Sequence, residues 1–255
     1  MRGVVFLKPL EYSVEVVGEK WRQGDKLKGC LKIKNHSQEK IELTCLKISL
    51  AIGFFKKIKT KDKKAWENLA EVILSEKLSL EASEEKVFNW DFLLSEDCQI
   101  TEKDKSLFLT FISNNENNDE WPNGNLELVI EPKLVIQQFL EIFQSFLRFK
   151  VIQNKFSKGM VEIKLNPPNS RELSHVDSLV LRMKEVEKSL HLEYLFTLHA
   201  FETVAGNMIA QKKIKQVEQI LSAKQYCFYG DSLNQEFIVD AINGVIKEAT
   251  PKFYT

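Results

Sequence analysis

Two short runs of strict alternation, joined by a polar turn, occupy Val14–Asn35 (VEVVGEKWRQGDKLKGCLKIKN). Val14 and Val16 face one way, with Ser13 and Glu15 opposite. After the turn, Leu27, Gly29, Leu31 and Ile33 share a face opposite Lys28, Lys32 and Lys34. A period of two over so few residues is what a strand with one wet face requires. Between the runs, Gly24-Asp25 suits a turn that needs positive φ or a local side-chain hydrogen bond. The stretch predicts an early β-hairpin in an antiparallel, sheet-built molecule.

The remainder is consistent with that class. Leu46, Ile48, Leu50, Ile52 and Phe54 alternate with Cys45, Lys47, Ser49, Ala51 and Gly53, while Ile41 and Leu43 sit in the opposite phase. One long strand over 41–55, interrupted by a bulge, accommodates the switch. A helix over 65–77 competes with strand for Trp66 and Leu69, and alternation over 74–81 favours strand. Phe88, Trp90, Phe92 and Leu94 form a heavy apolar face, and 106–113 (SLFLTFIS) is apolar on both faces, as a central strand is. An acidic, asparagine-rich loop (NNENNDEWPNG) precedes the strand LELVIE. At Leu134 the period changes: Val135, Phe139, Ile142, Phe143 and Phe146 fall at helical spacing behind Pro132, predicting an amphipathic helix packed between two sheets. Strands then resume, turning at Lys158-Gly159 and again near Glu185–Ser189. Ile214, Val217 and Leu221 predict a helix over 206–222, with a strand at its start left open. YCFY reads as a short strand. Ser232 and Gln235 have capping-box spacing before a helix reaching 248.

Composition narrows function by exclusion. Hydrophobic content of 44% supports a packed core. The 36 basic and 36 acidic residues cancel, so no global charge points to nucleic acid. The cancellation hides segregation: 56–64 holds six lysines and one acid, and 81–120 holds eleven acids and three lysines. The N-terminus lacks a signal-peptide pattern, and no window reaches the roughly 18 apolar residues of a membrane span. Cys30, Cys45, Cys98 and Cys227 form no CxxC pair and read as reduced thiols of a cytoplasmic protein. There is no GxSxG, P-loop, GxGxxG or HExxH. His36, His175, His191 and His199 read as surface residues. His191 and His199 share a strand face but lie roughly 26 Å apart, too far for one metal ion. Cys30 sits on a lysine-bearing face without a histidine partner, which argues against a nucleophile. The expectation is no enzyme, no catalytic residue, no metal site and no cofactor.

The stretch FFKKIKTKDKK is the candidate interaction surface: Phe54, Phe55, Lys56, Lys57, Lys59, Lys61, Lys63 and Lys64. Such a set suits acidic protein, phosphate groups or anionic lipid. The plainer reading is that the lysines guard an exposed strand edge.

Several segments resemble the bacterial sporulation-control arrestin-like family. Val14–Asn35 resembles its early turn-and-strand, with Gln23 where proline is frequent. VFNWDFLLSED is similar to an N-domain strand of arrestin-like proteins, with Ser95 where proline is usual. PKLVIQQFLEIFQSFLRFKV is similar to the inter-domain helix, and VDSLVLRMKEVEKSLHLEYLF to a second-domain hairpin. The missing prolines and an acidic insertion near Asn114–Asn125 mark a divergent member. The resemblance implies a mainly β chain of two tandem Ig-like, arrestin-like antiparallel β-sandwiches. These would span 1–132 and 147–255, with a connecting helix at 133–146 and helical segments near 206–222 and 232–248. It also implies a non-enzymatic cytoplasmic adaptor or regulator that binds an unidentified protein partner. The alternative is a peripheral binder of an anionic membrane surface through 54–64. No nucleic acid is expected, and a dimer is one admissible assembly.

Overall fold

A computed structural model describes residues 1–113, 122–171, 173–204, 207–228 and 232–249. The chain divides into two compact units, Met1–Glu131 and Pro132–Thr255.

The first unit is a β-sandwich. Strand β1 (Arg2–Leu7) turns back into β2 (Leu10–Val16), and a two-residue β3 (Trp21–Arg22) interrupts the way to β4 (Lys26–Asn35). Then come β5 (Ile41–Leu43), β6 (Leu46–Phe54), a short helix α1 (Phe55–Lys59), β7 (Trp66–Ser75), β8 (Leu78–Leu80) and β9 (Glu85–Leu93). Strands β10 (Lys105–Ser113), β11 (Gly124–Leu128) and β12 (Ile130–Glu131) complete it. One sheet has the order β1-β2-β4-β9, the other β11-β10-β6-β7. The opening stretch is a true antiparallel pair: β2 and β4 bond directly from Leu10↔Asn35 to Val16↔Gly29. Tyr12, Val14, Leu27, Leu31 and Ile33 point inward from one sheet, and Leu46, Ile48, Leu107, Leu109 and Phe111 from the other. Tyr12 stacks on Phe111 across the interior, ring centroids 5.6 Å apart. Each such side chain removed from water contributes about 1.5–3 kcal/mol before entropic losses.

One expectation changes here. The phase switch after Leu43 is a change of sheet, not a bulge in one strand: β5 pairs with β8, whereas β6 pairs with β7 and β10. Residues 66–75 are strand rather than helix, because β6 offers a partner along Leu46–Gly53. The first strand, β1, is an edge of its sheet. The acidic loop falls mainly on 114–121, outside the described residues.

The second unit opens with helix α2 (Leu134–Ser145), followed by β13 (Lys150–Ser157), β14 (Met160–Asn166), β15 (Val176–Val186), β16 (Ser189–Val204) and β17 (Asn207–Ser222). Two helices close it, α3 (Ala223–Tyr226) and α4 (Gln235–Ala249). The five strands form one antiparallel meander in sequence order. Both predicted turns are present as two-residue loops, with positive φ at Lys158 and Gly159 and at Glu187 and Lys188. Apolar residues stack in rows across the strands, such as Ile163, Leu181, Tyr194 and Val217. That face is buried, and among the described residues the facing layer is helical: α2 buries Ile136, Phe139, Ile142 and Phe143, and α4 buries Ile238, Ile242, Val245 and Ala249. In α2, Ile136 takes the inner position expected of Val135, and Phe146 is exposed. Helix α2 packs on β15 and α4 within this unit. The opposite face of the sheet is wet and carries a ladder of ion pairs, Lys155–Glu162 and Glu162–Arg182 at 2.8 Å and Arg182–Glu193 at 3.4 Å.

The helix expected over 206–222 is strand β17, paired with β16 from Ser189↔Ser222 to Val204↔Asn207. The short strand expected at YCFY is absent over its described residues: Tyr226 ends α3 and Cys227 forms a lone bridge to Leu233, while Tyr229 lies outside the described residues. Helix α4 is capped by Asn234, whose Oδ1 accepts the Phe237 amide at 3.1 Å, rather than by Ser232. Capping-box spacing is used instead at Ser222, whose amide donates to Gln225 Oε1 at 2.9 Å.

Candidate functional site

The lysine-rich stretch is the connection from β6 to β7, and it is more ordered than a plain hairpin tip. Helix α1 turns once; the Thr60 amide then donates to Lys56 O and the Asp62 amide to Lys57 O. Lys61 adopts φ 52, a left-handed residue that stops the helix. Asp62 Oδ1 accepts the Lys64 amide at 2.8 Å and starts a single 3-10 turn ending at buried Ala65.

The two phenylalanines serve the scaffold. Phe55 meets Phe108 of β10 edge-on at 6.0 Å, and Trp66 meets the same ring at 5.2 Å. The Phe55 amide donates to Asp104 O at 3.0 Å, tying the loop to the start of β10. Gly53 makes room for this cluster: a Cβ there would lie 2.6 Å from Phe108 Cε2. Lys57 Nζ lies 4.6 Å above the Phe54 ring, a cation–π contact worth about 0.5–1 kcal/mol at an exposed site. Lys56, Lys59, Lys61, Lys63 and Lys64 are exposed, and Lys57 is half-buried. No carboxylate among the described residues forms an ion pair with any of the six. The structure therefore separates the predicted set: Phe54 and Phe55 form the base, and the lysines form an uncompensated cationic cap.

A second feature of the first unit is an open groove of about 1060 Å³ beside β2, β4 and β9, lined by Glu15, Lys28, Cys30, Asn89, Trp90 and Asp91 among others. Lys32 Nζ holds Glu15 at 3.1 Å, which lowers the Glu15 pKa and raises that of Lys32. Burial, then the Glu15 carboxylate 3.9 Å from Sγ, push the Cys30 thiol up. Lys32 acts the other way but is outweighed by burial and by Glu15, which agrees with the expectation that Cys30 is no nucleophile. Cys98 is pushed to about 12, chiefly by burial.

The histidines are dispersed, and no group of His, Cys, Asp or Glu suited to a metal ion occurs among the described residues. His36 bonds Glu11 at 2.7 Å and His199 lies 3.5 Å from Asp177. His175 is buried rather than on the surface, and burial lowers its pKa. No helix among the described residues is long and apolar enough to cross a membrane.

Sequence reasoning missed one surface. Strand β17 is an edge of its sheet, sixteen residues or roughly 50 Å long. Its outer face exposes Ile214 (74%) and Ile220 (62%), while Val217 and Leu221 are buried. The signal was masked because each face of the strand mixes apolar and polar residues.

No family model matches this sequence, and no curated protein matches it. Among solved structures, the chain is similar to the crystal structure of Spo0M, sporulation control protein, from Bacillus subtilis. The TM-score is 0.66 at 11% identity, over 96% of this chain and 100% of that one. A Pseudomonas fluorescens alkylpurine DNA glycosylase AlkC bound to DNA matches 48% of the chain and 30% of its own, at 13% identity and TM-score 0.31. A Listeria innocua beta-glucosidase matches 48% and 16%, at 19% identity and TM-score 0.29. Likeness as slight as the last two carries no functional argument. The chain thus has the arrestin-like fold, shared along nearly its whole length with a sporulation control protein.

Proposed function

We propose that this chain is a cytoplasmic regulatory protein, without catalysis of its own, that works as an adaptor by binding another protein. The observation that carries this reading is the open edge of β17. Over Gln211–Ser222 no strand among the described residues pairs with its outer side. A sheet edge with no strand beside it can take up a further strand through its backbone N–H and C=O groups. Ile214 and Ile220, both more than 60% exposed on one face, supply apolar contacts that backbone pairing alone lacks. Likeness of fold to a protein named for sporulation control supports a regulatory role.

The test compares full-length bait with an Ile214→Lys/Ile220→Lys variant in cross-linking and co-purification from native lysate. A specific protein should be retained by the parent chain and depleted at least about tenfold by the variant, with circular dichroism unchanged. Equal retention by both, or no protein above background in any growth condition, overturns the reading.

A further inference from the structure

We infer that the cationic cap between β6 and β7 docks the first unit onto an anionic phospholipid surface. Three observations point to a bilayer rather than to a folded or peptide partner. First, the charge is concentrated and unspent. Residues 56–64 carry six lysines against Asp62 in a chain whose net charge is zero, and the Asp62 carboxylate is occupied by the Lys64 amide. Second, every cation is lysine. Arginine's planar fork suits paired, directional recognition of one carboxylate or phosphate, whereas lysine acts as a hydrated point charge suited to a diffuse field. Third, the lysines ride on two short turns at the end of a hairpin and do not line the groove described above. A rigid acidic peptide would meet only some of them, but laterally mobile headgroups can collect under all.

The aromatic base sets the depth of the contact. Phe55 is committed to Phe108, and Phe54 lies beneath Lys57, so neither ring forms a wedge for the acyl region. Binding is therefore electrostatic, at headgroup level and reversible. It weakens as salt shortens the screening length from about 8 Å at physiological ionic strength to about 3 Å at 1 M.

Full-length protein is co-sedimented with phosphatidylcholine vesicles, with mixed phosphatidylcholine–phosphatidylglycerol vesicles, and with the mixed vesicles in high salt. The expected result is binding to the mixed vesicles only, abolished by salt. It should be weakened about tenfold or more in a Lys56→Gln/Lys59→Gln/Lys61→Gln/Lys63→Gln variant, which leaves the Phe54–Lys57 contact intact. Equal binding to both vesicle types, or binding unchanged in the variant, overturns the inference. So does wild-type protein that ignores vesicles yet is held by immobilised polyglutamate, an outcome that assigns the cap to acidic protein. Thermal unfolding of the variant is run alongside to exclude misfolding. Protein capture at β17 is read separately, so either proposal can fail alone.

Discussion

Asn35, at the end of β4, is fully buried, and both ends of its amide are used. Nδ2 donates to Glu39 O at 2.8 Å, Glu81 O at 3.0 Å and Leu80 O at 3.4 Å, while Oδ1 accepts from the Ser37 amide and hydroxyl. One side chain thereby fastens the chain after β4 to the chain after β8. Asn35→Leu keeps the branched shape but strands these groups; a loss of about 3 kcal/mol is expected. In urea the tryptophan signal should show a lower midpoint at unchanged slope. Gln23 and Ser95, which replace prolines of the resembled pattern, also turn out to be neighbours. Gln23 is buried and its Nε2 donates to Cys98 O at 2.7 Å, while the Gly24 amide donates to Ser95 O at 3.3 Å. Hydrogen bonds here do the positioning that ring stiffness would do. Gly29 has a reason that its place in an apolar run does not reveal: it lies opposite Trp90, and a Cβ would come within 2.0 Å of Glu15 O and 2.5 Å of the indole.

Among the elements, the ion-pair ladder on the outer face of the second sheet makes a prediction about acid. Burial acts to raise the Glu162 pKa, but hydrogen bonds from Lys155 and Arg182 outweigh it, and the carboxyl titrates below its ordinary value. A carboxylate depressed in the folded state adds stability above its unfolded pKa and loses it as pH falls through the folded one. Melting temperature, followed by circular dichroism, should therefore fall on acidification below the usual carboxylate range. Glu162→Gln should be less stable at neutral pH and should lose part of that acid dependence. Strands were legible wherever one face was uniformly apolar: β4, β9, β14, β15 and β16 each announce themselves by period. Strand β10 was legible for the opposite reason. Ser106–Phe111 is buried on both faces, with Leu107, Leu109 and Phe111 in the core and Phe108 under Phe55 and Trp66. Strand β17 was not legible, because Ile214, Val217 and Leu221 fit a helical stripe as well as any alternation. What decides between them is β16, whose strongly alternating partner face extends the hairpin, and tertiary pairing overrides the local pattern. The lysine loop was legible as charge. That its phenylalanines belong to the scaffold depends on Phe108, some fifty residues away in sequence.

At the scale of the whole molecule, the two units are assembled on different principles. The second is a meander in which every strand pairs with its sequence neighbour. The first is tied by distant pairings, of which the most distant is the short parallel ribbon joining Trp21 to Ile130 and Arg22 to Glu131. Local pairing closes small loops and proceeds quickly; distant pairing waits on chain closure. All four tryptophans lie between positions 21 and 121, so their fluorescence follows the first unit, whereas far-ultraviolet circular dichroism follows both. On refolding, part of the dichroism should return before the tryptophan signal; simultaneous recovery would count against this order. During synthesis the ribbon becomes a timing device. Strand β3 emerges from the ribosome early and has no parallel partner until residue 131 is out. The first unit therefore stays unfinished while most of its own sequence is already made, and a chaperone that shields nascent sheet edges has its longest opportunity over that interval.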